Sequence, residues 1–250
     1  VAAYYDATTP LYLRHVGDVL QGAMMAGAPD HAAPEMTLDF LADRARLADG
    51  QDVLDVGCGV CGPAIHFAKR SPAMRITAVT VSAVQAQEAR ARISRAGLGE
   101  RIRVIQADMH ALQDSNEYDR VLFLESAGHS HDRAALWAMA HRALKPGGLL
   151  YIKDVMASLP VELLTQRQVE SISAFNRIYE YNVYGLDAAC AELKRCGFQG
   201  IETASLWPAL DSARAEKCRL TDGKPNAFGV RHAQDLPYLP CQFFQILARK

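Results

Sequence analysis

Residues 51–62, QDVLDVGCGVCG, constrain this chain more than any other stretch. A short apolar run ends in Gly57-Cys58-Gly59-Val60-Cys61-Gly62, which fits G-x-G-x-x-G, and residues 61–70 then place Ile65, Phe67 and Ala68 at helical spacing. The stretch reads as a buried strand turning on glycines into a helix. The same alternation continues. RITAVTV (75–81) is a second strand, Ser82 caps an Ala- and Arg-rich helix running to about residue 96, and Gly97 and Gly99 close it. Strands follow at 101–107 and 118–124, a helix at 132–144, then Lys145-Pro146-Gly147-Gly148 and a strand at 149–154. Strands and helices in this order imply right-handed crossovers and a parallel doubly wound α/β sheet.

The flanks read differently. Residues 1–50 are expected to be helical, with breaks at Thr8-Thr9-Pro10 and Ala28-Pro29-Asp30. Beyond Asp154 the pattern predicts an aromatic-rich helical stretch over 161–184, a helix over 186–196, a strand over 197–206, a short helix over 210–220, an irregular loop over 221–240 and a closing strand over 242–248. This divides the chain into an N-terminal helical cap (1–50), a cofactor-binding core (51–156), a helical lid or substrate segment (157–196) and C-terminal strands that complete the sheet (197–250). The 250 residues are half hydrophobic and 22% charged, enough apolar surface to offset the entropy of ordering one large domain. With 27 Lys+Arg against 28 Asp+Glu there is no basic field for nucleic acid or an anionic membrane. The longest apolar stretches fall short of the roughly 20 residues that span a bilayer. A cytoplasmic enzyme acting on a small molecule is expected, and a homo-oligomer is compatible with this composition.

Six cysteines are scattered without the spacing of a disulfide framework. Cys58 and Cys61 form a C-x-x-C, but no second pair completes a zinc site, so no metal ligands are assigned. A nicotinamide cofactor requires an acid at the end of the second strand, where this chain has Val79-Thr80-Val81. Asp55 stands two residues before the first glycine, in place of the usual apolar residue. A carboxylate there repels a pyrophosphate and suits an ammonium. Gly57 and Gly59 let the backbone approach such a ligand without a Cβ in the way.

At this point VLDVGCGVCG (53–62) resembles motif I of class I S-adenosylmethionine (SAM) dependent methyltransferases. AVTVSAVQ (78–85) resembles the second-strand region of the branch that contains sterol, prenyl diphosphate and tocopherol methyltransferases, in which Thr often replaces the acid. ADMHAL (107–112) and LKPGGLLYIKD (144–154) resemble the third-strand motif and the helix-turn-strand that follows the active site. The resemblance covers about residues 51–154. It implies a seven-stranded Rossmann-like sheet with one antiparallel strand near the C-terminus, a helical cap, and SAM as cofactor. By the same resemblance Asp55 favours the methionyl ammonium, Asp108 accepts from the adenine amine, the Met109 N–H reaches an adenine ring nitrogen, and Thr80, Val81 and Gln85 lie by the ribose.

On the acceptor side, the fourth strand runs into Glu125-Ser126-Ala127-Gly128-His129 at the sheet edge where ligands bind. The Glu-Ser pair resembles geranyl diphosphate C-methyltransferases, which implies that Glu125 steadies a carbocation and removes its proton. E-S-x-x-H is also similar to small-molecule O-methyltransferases, in which His129 would take a hydroxyl proton. The leading expectation is C-methylation of an isoprenoid diphosphate with Glu125 as base; the alternatives are O- or N-methylation of a small specialised metabolite with His129 as base, and a SAM-binding protein that has lost catalysis. Phe175, Tyr179, Tyr181 and Tyr184 crowd one segment and offer aromatic faces to a cation; the first three are expected at the substrate. Tyr4-Tyr5-Asp6 and Tyr12 resemble the opening segment of prenyl diphosphate methyltransferases, which folds over cofactor and substrate and implies a substrate contact for Tyr5. A diphosphate would need Mg²⁺ or basic side chains, for which Arg167, Arg177, Lys217, Arg219, Lys224 and Arg231 are available. Asp154 is placed to orient or replace His129, and His131 is expected on an exposed loop.

Overall fold

The computed structural model describes residues 1–211 and 238–250. Its main sheet begins where the sequence reading places it. β2 (Asp52–Val56), β3 (Arg75–Thr80), β4 (Ile102–Gln106) and β5 (Tyr118–Leu124) are parallel and follow the order β4-β3-β2-β5. β6 (Leu144–Ala157) extends the parallel set beside β5. β10 (Cys241–Arg249) runs antiparallel to β6, and β8 (Gln199–Ser205) lies antiparallel on its far side. These seven strands form the sheet, with β10 as the expected reversed strand, and the two-residue β7 (Tyr184–Gly185) pairs with the end of β6.

The central strands are near-continuous apolar runs because helices cover both faces. Val53, Leu54, Val121, Leu122, Phe123, Leu150 and Ile152 are fully buried. One face packs on α2 (Ala33–Arg44) and α3 (Gly62–Arg70), with Leu38, Leu41 and Phe67 in the core. The other packs on α5 (Arg133–Ala143) and α7 (Leu186–Arg195), where Trp137 meets Phe123 edge-on at 5.8 Å. α4 (Ala83–Arg95) starts at Ser82, whose hydroxyl accepts from the Gln85 amide as the sequence predicts.

The flanks depart from the sequence reading in three places. α1 (Ala2–His15) runs through Pro10 instead of breaking at Thr8-Thr9-Pro10. Asp6 docks this helix: its Oδ1 accepts from Ser82 Oγ at 2.6 Å and from the Val84 amide at 3.2 Å, a tertiary tie that offsets the backbone bond a mid-helix proline removes. The stretch expected to be helical over 161–184 is a single turn at Val161–Leu163 and then α6 (Gln166–Tyr179). A Thr165/Gln168 capping box starts α6, and Glu180 in the left-handed region stops it. Finally, Leu210–Asp211 opens no helix. It forms β9, paired antiparallel with β1 (Met24–Met25), an element the sequence reading missed. The remainder of that expected helix and most of the expected loop over 221–240 lie outside the described residues.

Candidate active site

Where β2 lies between β3 and β5 the crossovers leave the sheet in opposite directions, and the crevice at the carboxyl ends opens there. The glycine turn lines it. Gly57 has φ of 82°, and a Cβ at that position would overlap Ser126, so this turn accepts only glycine. The Gly57 and Cys58 amides both donate to the Val79 carbonyl, at 2.8 and 2.9 Å, which pins the turn to the end of β3. Cys58 and Cys61 are free thiols, and a hydrogen bond to Cys61, together with burial, pushes the Cys58 thiol well above its usual range.

A cleft of about 1010 Å³ runs over this turn. Asp55, Gly57, Gly59, Thr80, Val81, Gln85, Asp108 and Met109 all line it, so every residue expected at the cofactor faces one space. Asp55 is 2% exposed and its Oδ2 is buried with no hydrogen-bond partner. Burial without a counter-charge raises its carboxyl to about 7. Thr80 Oγ1 donates to Gln85 Oε1 at 2.7 Å, fixing both side chains on the floor. At the far end the exposed Asp108 takes two bonds on Oδ1, from the His110 amide at 2.9 Å and His110 Nδ1 at 2.8 Å. The amide bond comes first among the causes holding its carboxyl below the usual range. His131 is exposed, as expected, yet it reaches this cleft and packs on the His110 ring at 4.7 Å.

A second cavity of about 1500 Å³ adjoins the first and shares Tyr5, Leu20, Glu125 and His129 with it. Its other walls include Tyr12, Phe175, Tyr179, Tyr181, Trp207 and Phe243. The four residues expected at the substrate, Tyr5, Phe175, Tyr179 and Tyr181, therefore meet here, whereas Tyr184 turns away to Asp154, with its hydroxyl 3.2 Å from Oδ2. No Lys or Arg is among the described residues lining this cavity. Arg167 bonds Tyr238 Oη at 3.1 Å and Arg177 is exposed, while Lys217, Arg219, Lys224 and Arg231 lie outside the described residues.

The two acid–base candidates sit in different surroundings. His129 Nδ1 is 2.9 Å from the Glu180 carbonyl, which only accepts, so Nδ1 carries the proton and donates. Nε2 then accepts from Tyr5 Oη at 2.7 Å. Burial lowers the imidazole below its ordinary value and raises the Tyr5 phenol well above its own, so both groups are neutral at pH 7. Tyr181 packs edge-on against the His129 ring at 4.7 Å. Asp154 supports that arrangement from behind. It accepts from Tyr181 Oη and Tyr184 Oη, and from the Gly128 amide at 3.1 Å, and burial raises its carboxyl to about 7. Asp154 thus bonds the neighbours of His129 rather than His129 itself.

Glu125, at φ of 62°, is fully engaged. Its carboxylate is paired with Lys153 and accepts from the Gly22 amide on both oxygens, each at 2.8 Å. Lys153 was not singled out in the sequence reading. The available signal was a charge inside LLYIKD, a run that reads as a buried strand.

The family of methyltransferase domains matches residues 53–148, from the start of β2 into β6. Over residues 53–148, then, the chain is similar to methyltransferase domains. The methyltransferase GfsG of Streptomyces halstedii is 34% identical over 161 residues, covering 59% of this chain and 58% of its own length. A sterol 24-C-methyltransferase of Aspergillus fumigatus is 30% identical over 153 residues, covering 60% and 40%. The chain therefore spans about half the length of these curated relatives. The likeness of fold extends beyond the matched segment. Geranyl diphosphate C-methyltransferase from Streptomyces coelicolor A3(2), solved with Mg²⁺, geranyl diphosphate and S-adenosyl-L-homocysteine, superposes with a TM-score of 0.77 at 18% identity, covering 100% of this chain and 96% of that one. Among the described residues, no helix is long and apolar enough to cross a membrane.

Proposed function

We propose that this chain transfers a methyl group from SAM to a hydroxyl of an apolar small molecule, with His129 as the proton acceptor. The observation that carries this reading is the tautomer of His129. The Glu180 carbonyl holds the proton on Nδ1, which leaves Nε2 as the acceptor where the two cavities meet.

The first cavity fits SAM, because the orphaned Oδ2 of Asp55 lacks only a cation such as the methionyl ammonium. When bound, SAM supplies an activated methyl on a good leaving group, so the protein is asked chiefly to align the acceptor and take one proton. Asp55 would hold the ammonium, Asp108 and the Met109 amide the adenine, and Thr80, Val81 and Gln85 the ribose side. The acceptor would lie among Phe175, Tyr179 and Tyr181 with its hydroxyl toward Tyr5. That hydroxyl gives its proton to Tyr5 Oη as Tyr5 passes its own to His129 Nε2. Tyr5 is left unchanged and His129 is left as an imidazolium, still bonded to the Glu180 carbonyl. The segment around α6 and Tyr181 would close over this site and keep water out.

The aromatic walls favour a second reading, C-methylation of an isoprenoid alkene through a carbocation, with Glu125 as the base and Mg²⁺ accompanying a diphosphate. It ranks below the first because the Glu125 carboxylate is already held by Lys153 and Gly22 and no described Lys or Arg lines the cavity.

Product mass spectrometry decides between them. The protein is incubated with SAM and two panels: phenols and alicyclic alcohols, and prenyl diphosphates of increasing length with Mg²⁺. A gain of one methylene on a hydroxyl compound, lost in His129→Ala while S-adenosylhomocysteine still binds, supports the proposal. A gain confined to prenyl diphosphates overturns it in favour of the second reading.

A further inference from the structure

Lys153 is fully buried in β6, between Ile152 and Asp154 and opposite Gln245 of β10, behind Glu125, which lines both cavities. It lies beside Leu124 across the β5–β6 pairing, and the next residue of β5's path, Glu125, donates its amide to the Lys153 carbonyl at 2.7 Å. The ammonium pairs with Glu125, bonds Gln21 Oε1 at 3.0 Å, and lies 4.4 Å from the centroid of the Phe243 ring. Glu125 in turn receives the Gly22 amide on both oxygens. The fit around Gly22 is close. A Cβ there would stand 2.7 Å from Glu125 Oε2 and 2.8 Å from Phe243 Cζ.

We propose that Lys153 is a positioning residue. It fixes the Glu125 carboxylate so that this group, instead of accepting the reaction's proton, clasps the Gly22 backbone and holds residues 18–22 across the seam. Those residues wall both spaces: Asp18, Leu20 and Gln21 line the cofactor cleft, and Leu20 and Gly22 line the acceptor cavity. Loosening the clasp therefore opens both at once. A buried charge pair is well suited to this task, because removing either partner strands the other charge in a dry site. The inference rests on the proposed function for its catalytic meaning, since a clasped Glu125 leaves proton transfer to His129. The clasp itself stands on the contacts above.

The experiment is amide hydrogen exchange of the peptide containing Gly22, together with the dissociation rate of S-adenosylhomocysteine. Lys153→Met should speed exchange in that peptide about tenfold or more and speed ligand release by a similar factor. The double variant Lys153→Met with Glu125→Gln should recover most of the protection. A neutral amide oxygen still accepts from Gly22 without an unpaired buried charge, whereas a packing role for Lys153 would not be repaired at Glu125. Unchanged exchange in Lys153→Met, or no recovery in the double variant, overturns the proposal. Should Lys153→Met not fold, Glu125→Ala, which removes the hydrogen-bond acceptor of Gly22, decides: exchange faster at Gly22 supports the clasp and unchanged exchange overturns it. These readouts need no acceptor, so failure of the clasp is distinguishable from failure of the functional reading, which the wild-type protein's products test separately.

Discussion

Cofactor binding should release a proton from Asp55. Burial raises this carboxyl from 3.8 to about 7, because its Oδ2 faces no donor and no cation. That difference corresponds to about 4 kcal/mol favouring the neutral form in the empty site. An ammonium placed against Asp55 requires the ionised form, so the proton must leave as the ligand binds. With a value near 7, about 0.9 proton is released per ligand at pH 6, about 0.5 at pH 7 and about 0.1 at pH 8. Affinity for S-adenosylhomocysteine should accordingly weaken about tenfold from pH 8 to pH 6. The assay is titration calorimetry in buffers of differing ionisation enthalpy, repeated on Asp55→Asn to subtract other groups in the cleft. That variant should bind about 10- to 100-fold more weakly at pH 8 and lose the dependence on pH. Equal proton release in the variant and the wild type at pH 6, or none in either, would refute the assignment of Asp55 to the ammonium.

Other consequences can be checked independently. Rates should fall on the acid side as the imidazole of His129 gains a proton, below its ordinary value of 6.5; His129→Gln should lower turnover by about 10² to 10⁴ and erase that limb, with ligand affinity little changed. Gly57→Ala should abolish detectable S-adenosylhomocysteine binding and lower stability by about 1–3 kcal/mol, since its Cβ would overlap Ser126 at a positive φ; an alanine variant with ordinary affinity would contradict the turn geometry. Asp154 has a raised carboxyl, so the stability linked to its protonation is complete below about 4 and lost as pH rises through about 7. Asp154→Asn should therefore gain on the wild type in urea unfolding between pH 4 and pH 8, by up to about 4 kcal/mol, and a pH-independent difference would count against it.

Much of the cofactor half was legible in the sequence because it is local. The order of β2, α3, β3 and α4 follows from apolar runs, glycines and one serine cap, and the residues that line the cleft fall within a few positions of strand ends. The acceptor half is assembled from distant segments, and there the sequence fell short. That Tyr5 meets His129 and that Gln21 and Gly22 meet Glu125 and Lys153 are contacts between residues more than a hundred positions apart, which no periodicity reports. Pro10 misled for a related reason. Its local cost is real, but Asp6 ties the helix to the start of α4, and the sequence gives no sign of that tie. Lys153 was legible only as an anomaly, a charge in a buried strand. Its partner Glu125 is expected from the sequence as a base that removes a carbocation's proton, and the pairing with Lys153 that changes its chemistry joins residues 28 positions apart.

The most direct test is a crystal structure with S-adenosylhomocysteine bound. The account expects its ammonium against Asp55, its adenine beside Asp108 and Met109, and its sulfur facing the seam where Tyr5 and His129 open onto the aromatic cavity. A ligand bound elsewhere, or one in this cleft with its sulfur turned away from His129, would contradict it.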